Sequence, residues 1–268
     1  MLHQFSRNEL AIGPEGLETL KRSTVAVLGV GGVGSFSVEA LARSGVGRIV
    51  MIDKDVVDIT NINRQLHALL TTIGQPKAEL MKERIAQINP ECDVIALRMF
   101  YNEETCEQLF AYPLDYVIDA SDTITYKIHL IKECLKRNIP LISSMGAANK
   151  MDPTRFRVAD ISQTTTDPIA RVIRRKLRKE GITSGVKVVF SSEPPIRQRE
   201  DVLRRIVPEN APDLPKAKRP PSSNAFVPSV AGLIMAGVVI NELLAKGNVK
   251  VGEGGGRTDE PLSKTKMI

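Results

Sequence analysis

Strands and helices alternate through residues 1–150, a glycine-rich turn joins the first strand to its helix, and an aspartate closes the strand that follows. Such a pattern requires an α/β fold with a doubly wound, mainly parallel sheet, because each crossing helix returns the chain to the same strand direction. Beyond Asp152 the alternation lapses, and a C-terminal α+β extension is expected.

Residues 14–22 read as a short helix leading into a strand at 24–28. The turn 29–34 follows, and a helix runs to about Ser44, where Gly45 and Gly47 end it. A strand at 48–52 completes a βαβ unit. A polar stretch leads past Pro76 into a helix from Lys77 to about Ile88, closed by Asn89-Pro90. Residues 93–98 form a third strand, 103–110 a helix, 116–120 an apolar strand ending in an acid, 124–137 a helix and 140–143 a further strand. In the extension, 156–161 and 187–191 read as strands flanking a basic helix that Asp167-Pro168 starts. The charged, proline-rich stretch 194–228 reads as a long mobile loop, 228–245 as a buried apolar helix, and 247–268 as a disordered tail. Residues 1–246 thus form one domain, with a core at 1–150 and an extension at 151–246.

With 37 basic against 31 acidic residues the chain carries a net charge of +6, which suits a polyanionic partner. Its cysteines, Cys92, Cys106 and Cys134, form no CxxC pair, which speaks against a zinc ribbon or a disulfide framework. The opening MLHQFSRNEL lacks the apolar stretch of a secretory signal, and the apolar run 230–240 falls short of the ~20 residues of a membrane span. A cytoplasmic protein with no membrane partner is expected.

Gly29, Gly31, Gly32 and Gly34 bring bare backbone N–H groups to a helix N-terminus, where the dipole favours a phosphate. Asp53 ends the next strand, 19 residues beyond Gly34, where a carboxylate grips a ribose hydroxyl. Asn61, Arg64 and Lys77 follow; two cations and an amide near one strand edge suit a triphosphate and its leaving pyrophosphate, unless they are solvated surface charges. Asp119 and Asp122 lie at the carboxyl end of the 116–120 strand, where a carboxylate can hold Mg²⁺ against phosphate oxygens. Asp122 could equally cap the helix that starts at Ile124.

GVGGVG, IDKDVVDITNINRQ, GQPKAE, NPE and IDASD, in that order, resemble the HesA/MoeB/ThiF adenylyltransferase family, relatives of the ubiquitin-activating enzymes. The resemblance implies a Rossmann-like fold with ATP and Mg²⁺ as cofactors. It makes Gly29, Gly31, Gly32 and Gly34 the phosphate loop, Asp53 the ribose ligand, Asn61, Arg64 and Lys77 the phosphate contacts, and Asp122 the acid that places Mg²⁺. Arg7, in Phe5-Ser6-Arg7, resembles the family arginine that reaches into a partner subunit's ATP site, which implies a homodimer; otherwise it is a frayed terminal arginine.

The stretches SSMGAANKMDPTRFRVADISQTTTDPIARVIRRKLRKEGI, VKVVFSSEPP and NAFVPSVAGL resemble one branch of that family, the tRNA threonylcarbamoyladenosine dehydratases. They adenylylate the threonine carboxylate of a modified adenosine beside the anticodon, and ring closure then expels AMP. The resemblance leaves room for an accessory protein. The basic helix adds Arg171, Arg174, Arg175, Lys176, Arg178 and Lys179 for tRNA phosphates, and the loop adds Arg197, Arg199, Arg204, Arg205, Lys216, Lys218 and Arg219. A solvated helix face and a charged linker would read alike. The competing functions are activation of the C-terminus of a ubiquitin-like sulfur carrier, against which the missing CxxC pairs count, an RNA binder gated by ATP without turnover, and, more remotely, a nicotinamide dehydrogenase.

Overall fold

A computed structural model of the chain describes residues 2–206 and 220–252. Seven strands form one sheet: β1 (Thr24–Leu28), β2 (Arg48–Ile52), β3 (Asp93–Leu97), β4 (Tyr116–Asp119), β5 (Leu141–Ser144), β6 (Phe156–Asp160) and β7 (Lys187–Ser191). Their order is β3-β2-β1-β4-β5-β7-β6, parallel except where β6 runs antiparallel to β7 at the edge. The Rossmann-like, mainly parallel sheet and its α+β extension are therefore as expected, with β7 and β6 continuing the core sheet. Leu28 pairs with Asp119 in register, so the strand order reverses between β1 and β4 and leaves a crevice at their carboxyl ends.

Alternate residues of each central strand supply two cores. Val25 and Val27 with Ile49 and Met51 pack under α2 (Gly34–Ser44) and α8 (Phe226–Lys246). Ala26, Leu28, Val50 and Ile52 pack with Leu109 of α4 (Cys106–Phe110) and Leu130 of α5 (Ile124–Lys136). In the extension, Ala170, Ile173 and Leu177 of α6 (Pro168–Lys179) cover Val188 and Phe190 of β7. By length and composition α8 could cross a bilayer, yet over half of its apolar stretch is buried within the protein. It is a core helix.

Several boundaries differ from expectation. Helix α1 spans Ser6–Arg22 rather than starting near residue 14, because two helical stretches meet end to end at Gly13 (φ 68°) before Pro14. Helix α3 stops at Ala86, and α4 starts at Cys106 because the Asn102 side chain first turns the backbone by accepting from Glu104 and Thr105 N–H. Helix α8 begins at Phe226, since Asn224 Oδ1 accepts from Val227 N–H at 2.9 Å and a proline is tolerated in a first turn. Within the stretch read as one loop, Glu200–Ile206 forms a helix, α7. Lys216, Lys218, Arg219 and the tail beyond Gly252 lie outside the described residues. The described start of that tail is tied down, Gly252 N–H donating to the Ala11 carbonyl. All three cysteines are free, and burial pushes the Cys92 and Cys134 thiols up to about 12, as suits packing residues.

Helix α8 lies on α2 only because Gly232 has no side chain: a Cβ there would stand 2.1 Å from the Val33 carbonyl oxygen. Gly232→Ala should therefore lower the unfolding free energy by about 2–3 kcal/mol in urea titrations, as an overpacked contact does. Gly237→Ala, in the same helix with open space around it, should be neutral or gain about 0.5–1 kcal/mol.

Candidate active site

The glycine turn occupies the crevice at the strand-order reversal. Gly29 (φ 81°) turns the chain beside the Ala120 carbonyl, where a Cβ would approach to 2.8 Å. Gly34 brings the first turn of α2 so close that its Cβ would stand 1.8 Å from the Gly29 oxygen. No side chain caps α2; Ser35 N–H donates to the Gly31 carbonyl at 3.0 Å, and the Gly34 and Phe36 N–H groups are left to an anion. Asp53 holds the turn from below, its carboxylate accepting from Val30 N–H at 2.7 Å and Asp55 N–H at 2.9 Å. Burial raises its pKa above the ordinary aspartate value, while those two N–H bonds and Lys77 pull it back.

Residues 55–77 fold over this turn. Asn61 closes a capping box with Asp58, accepting from Asp58 N–H at 3.1 Å. Arg64 lays its stem against Gly32, whose Cβ would lie 3.3 Å from Arg64 Cγ. Its guanidinium is half-buried and donates to the Thr60 carbonyl (2.8 Å) and Asn63 Oδ1 (2.9 Å), with no carboxylate partner among the described residues. Burial lowers its pKa, the mark of a cation short of counter-charge. Lys77 is buried at the start of α3 (Lys77–Ala86), its Nζ 3.3 Å from the exposed Asp55 carboxylate. Arg64, Lys77 and Asp53 thus gather about the glycine turn.

The two acids after β4 have separate fates. Asp119 is wholly buried, paired with Lys127 Nζ at 2.9 Å and accepting from Ser143 Oγ at 2.6 Å and Ser121 Oγ at 2.7 Å. Its oxygens are committed. Asp122 is exposed and, among the described residues, accepts only from Thr123 Oγ1 at 3.3 Å; the N-cap of α5 is Thr123, without a side-chain bond, so Asp122 is no cap. No cluster of three metal-ligating side chains exists among the described residues. One free carboxylate beside a phosphate receptor fits a hard cation such as Mg²⁺, which takes its remaining ligands from phosphate and water.

Arg7 stands apart. Its neighbour Asn8 donates to the Arg43 carbonyl in the last turn of α2, so Arg7 lies near the end of α2 away from its own glycine turn. Its exposed side chain has no ion pair or hydrogen bond among the described residues. On α6, Asp167 caps the helix from Ile169 and Ala170 N–H and also accepts from Gly146 N–H, which sets the helix start against the carboxyl end of β5. Arg171, Arg175, Arg178 and Lys179 are exposed and unpaired among the described residues. Arg174 departs from the expected polar face: it is half-buried and donates to the carbonyl (2.8 Å) and hydroxyl of Thr164. Arg199 is spent on Asp201 at 2.9 Å.

Sequence reasoning missed Asn63, Gln65, Lys127, Ser143 and the segment 222–224. Asn63 Nδ2 donates to the Ser223 carbonyl at 3.0 Å, Ser222 donates to Asn149 Oδ1, and Asn224 Nδ2 donates to the Lys150 carbonyl. These three residues join the Arg64 turn to the loop after β5. Only the run Asn61–Gln65, all polar but Ile62, hinted at it.

Residues 5–261 match the ThiF family. Bacillus subtilis tRNA threonylcarbamoyladenosine dehydratase is 75% identical over 250 residues, spanning 93% of this chain and 98% of that protein. The crystal structure of Escherichia coli tRNA N6-threonylcarbamoyladenosine dehydratase in complex with ATP superposes with a TM-score of 0.79 at 34% identity, covering 91% of this chain and 95% of that one. Molybdopterin-synthase adenylyltransferase of Salmonella typhimurium is 31% identical over 63% of this chain and 66% of its own length.

His67 offers a test of how the turn is packed. Burial, aided by Lys77, lowers its pKa from 6.5 to about 4, and both ring nitrogens lack partners. The unfolded chain takes up a proton as pH falls through 6.5, and the folded one does so only near 4. Stability is therefore complete above 6.5 and falls between 6.5 and 4, by up to about 3 kcal/mol from this group. Chemical denaturation at a series of pH values should show that slope in the parent, and His67→Leu should flatten it most clearly above pH 5, where carboxylates contribute least.

Proposed function

The chain belongs to the ThiF family, and on that footing we propose that it uses ATP to dehydrate N6-threonylcarbamoyladenosine in tRNA. One observation carries the chemistry: Arg64, half-buried and without a carboxylate partner among the described residues, flanks a helix N-terminus that no side chain caps. The B. subtilis and E. coli dehydratases supply the substrate, through likeness over nearly the whole chain. The sulfur-carrier reading is less supported. Its relative matches a shorter part of the chain, and the cysteines are packing residues.

In this reading the N–H groups of Gly31–Gly34, the Asn61 amide and the Arg64 and Lys77 cations bind the triphosphate, and Asp53 holds the ribose; the Gly29 and Val30 N–H groups are already bonded to the Ile52 carbonyl and to Asp53. Asp122 would hold Mg²⁺, which neutralises charge on the phosphates. The threonine carboxylate oxygen attacks the α-phosphorus in line, and the bond to the pyrophosphate oxygen breaks as Arg64 and Lys77 stabilise the leaving charge. The neighbouring ureido group then attacks the acyl carbon, loses its proton and expels AMP; the net change in the nucleoside is loss of water. Arg7 acts across a homodimer, since it is exposed and remote from its own turn. The exposed cations of α6 hold the tRNA backbone beside the loop after β5. The protein would work in the cytoplasm with its RNA substrate; α8, as a packed core helix, gives it no need of a membrane.

Three measurements test this. Asp122→Asn should keep the fold and lose at least about 100-fold in ATP–pyrophosphate exchange, the range for removing one electrostatic group; normal turnover would remove Asp122 from the site. Arg7→Ala mixed with Asp122→Asn should recover roughly a quarter of parental activity, because random pairing leaves one complete site in half of the dimers. No recovery after verified subunit exchange would refute the shared site. Neutralising Arg171, Arg175, Arg178 and Lys179 should weaken tRNA binding and lower the log–log salt slope by about one unit for each phosphate no longer neutralised, with ATP affinity unchanged. Unaltered tRNA binding at physiological salt would make the α6 face a solvated one.

A further inference from the structure

Gln65 is the residue whose position the fold leaves unexplained. It is only 7% exposed, its side-chain Oε1 is buried without a partner, and its Nε2 makes no hydrogen bond among the described residues. Its backbone is fully used, the N–H donating to the Asn61 carbonyl and the carbonyl accepting from Ala68 N–H. A buried amide with nothing to bind destabilises a protein, and an apolar side chain of that length would pack as well. The amide is aimed. A Cβ on Gly31 would lie 3.8 Å from Gln65 Nε2, with no other atom outside the turn within 4 Å. The next glycine, Gly32, lies against the Arg64 stem, so two consecutive side chains of one turn stand over two consecutive glycines of the other. Whatever anion Arg64 meets above Gly32 lies within reach of the amide above Gly31.

We propose that Gln65 is a further nucleotide-binding residue, its amide N–H donating to a phosphate oxygen held over Gly31. The inference rests on the ATP reading above and adds a neutral donor, beside the Asn61 amide, to a receptor otherwise made of backbone N–H groups and cations. A neutral donor can follow the phosphate as charge shifts towards the leaving group, without binding the pyrophosphate product as a further cation would.

The test exploits the conflict between stability and binding. Gln65→Met keeps the length, removes the orphaned polar atoms and should raise the melting temperature of the ligand-free protein. The same variant should bind Mg-ATP about tenfold more weakly by calorimetry, the effect of removing one hydrogen bond to a charged group, and raise the KM for ATP with the Kd for tRNA unchanged. Gln65→Glu, alike in shape but unable to donate and negatively charged, should bind more weakly still. ATP affinity equal to the parent's in both variants would overturn the proposal and leave Gln65 a packing residue. Failure of the unaltered chain to bind ATP would instead overturn the reading beneath it.

Discussion

The first turn of α2 rests on the carbonyl of Gly29, and the site depends on that contact. It brings α2 against the end of β1 at a distance no side chain would survive, since a Cβ on Gly34 would sit inside the Gly29 oxygen. Helix α8 closes the same stack from the other side, Gly232 lying on the Val33 carbonyl and accepting from Ser37 Oγ at 2.9 Å. Pro228, one turn earlier, touches the Cβ position of Gly32. The glycine turn is thus clamped between the end of strand β4 and a helix from the far end of the chain. Residues 1–150 and α8 form one structural unit, because the roof of the turn is sequence-distant from the turn itself.

Charge is distributed in this frame by what is already neutralised. Asp119 and Lys127 form a buried pair completed by Ser121 and Ser143, and a pair so enclosed resists any exchange of partners. It fixes the end of β4, and Asp122, three residues on, is presented to solvent with its oxygens almost free. Arg64 and Lys77 show the opposite imbalance, one bound among the described residues only to neutral oxygens and the other to a single exposed carboxylate. A polyphosphate with its cation would satisfy all three groups at once, whereas a nicotinamide dinucleotide would leave most of that charge unmatched.

Much of this was legible in the sequence because it is local. The glycine turn, Asp53 and the strand periodicities need only neighbours within about 20 residues to declare themselves. Gly13-Pro14 reads as a break, which hid the first half of α1; the helix survives because the two stretches each stack on their own hydrogen bonds. Helical periodicity put Arg174 on the charged face, but its length lets it reach back to Thr164, an interaction set by tertiary packing. Asp119 and Asp122 could not be told apart because the distinction lies in Ser143 and Lys127, which approach only after β5 and α5 have packed. Asn63 finds its partner 160 residues away.

That long-range bond shows why the two halves are needed together. The Asn63 amide is used twice, its oxygen accepting from Arg64 Nη1 and its nitrogen donating to the Ser223 carbonyl. Ser222 is fixed to Asn149 through both its N–H and its hydroxyl, and Asn149, at φ 57°, is itself held by its N–H bond back to the Ser222 carbonyl. Asn224 then ties the Lys150 carbonyl to the start of α8. The Arg64 guanidinium, whose stem lies on the glycine turn, is therefore positioned by a chain of bonds anchored after β5, beside the start of the basic helix. A displacement of Ser223 would act on Arg64 through one side chain. Hydrogen bonds of this kind contribute about 1 kcal/mol each, enough to bias an arginine's geometry and too little to lock it. The basic helix and the glycine turn are thus joined by interactions weak enough to respond to a ligand at either.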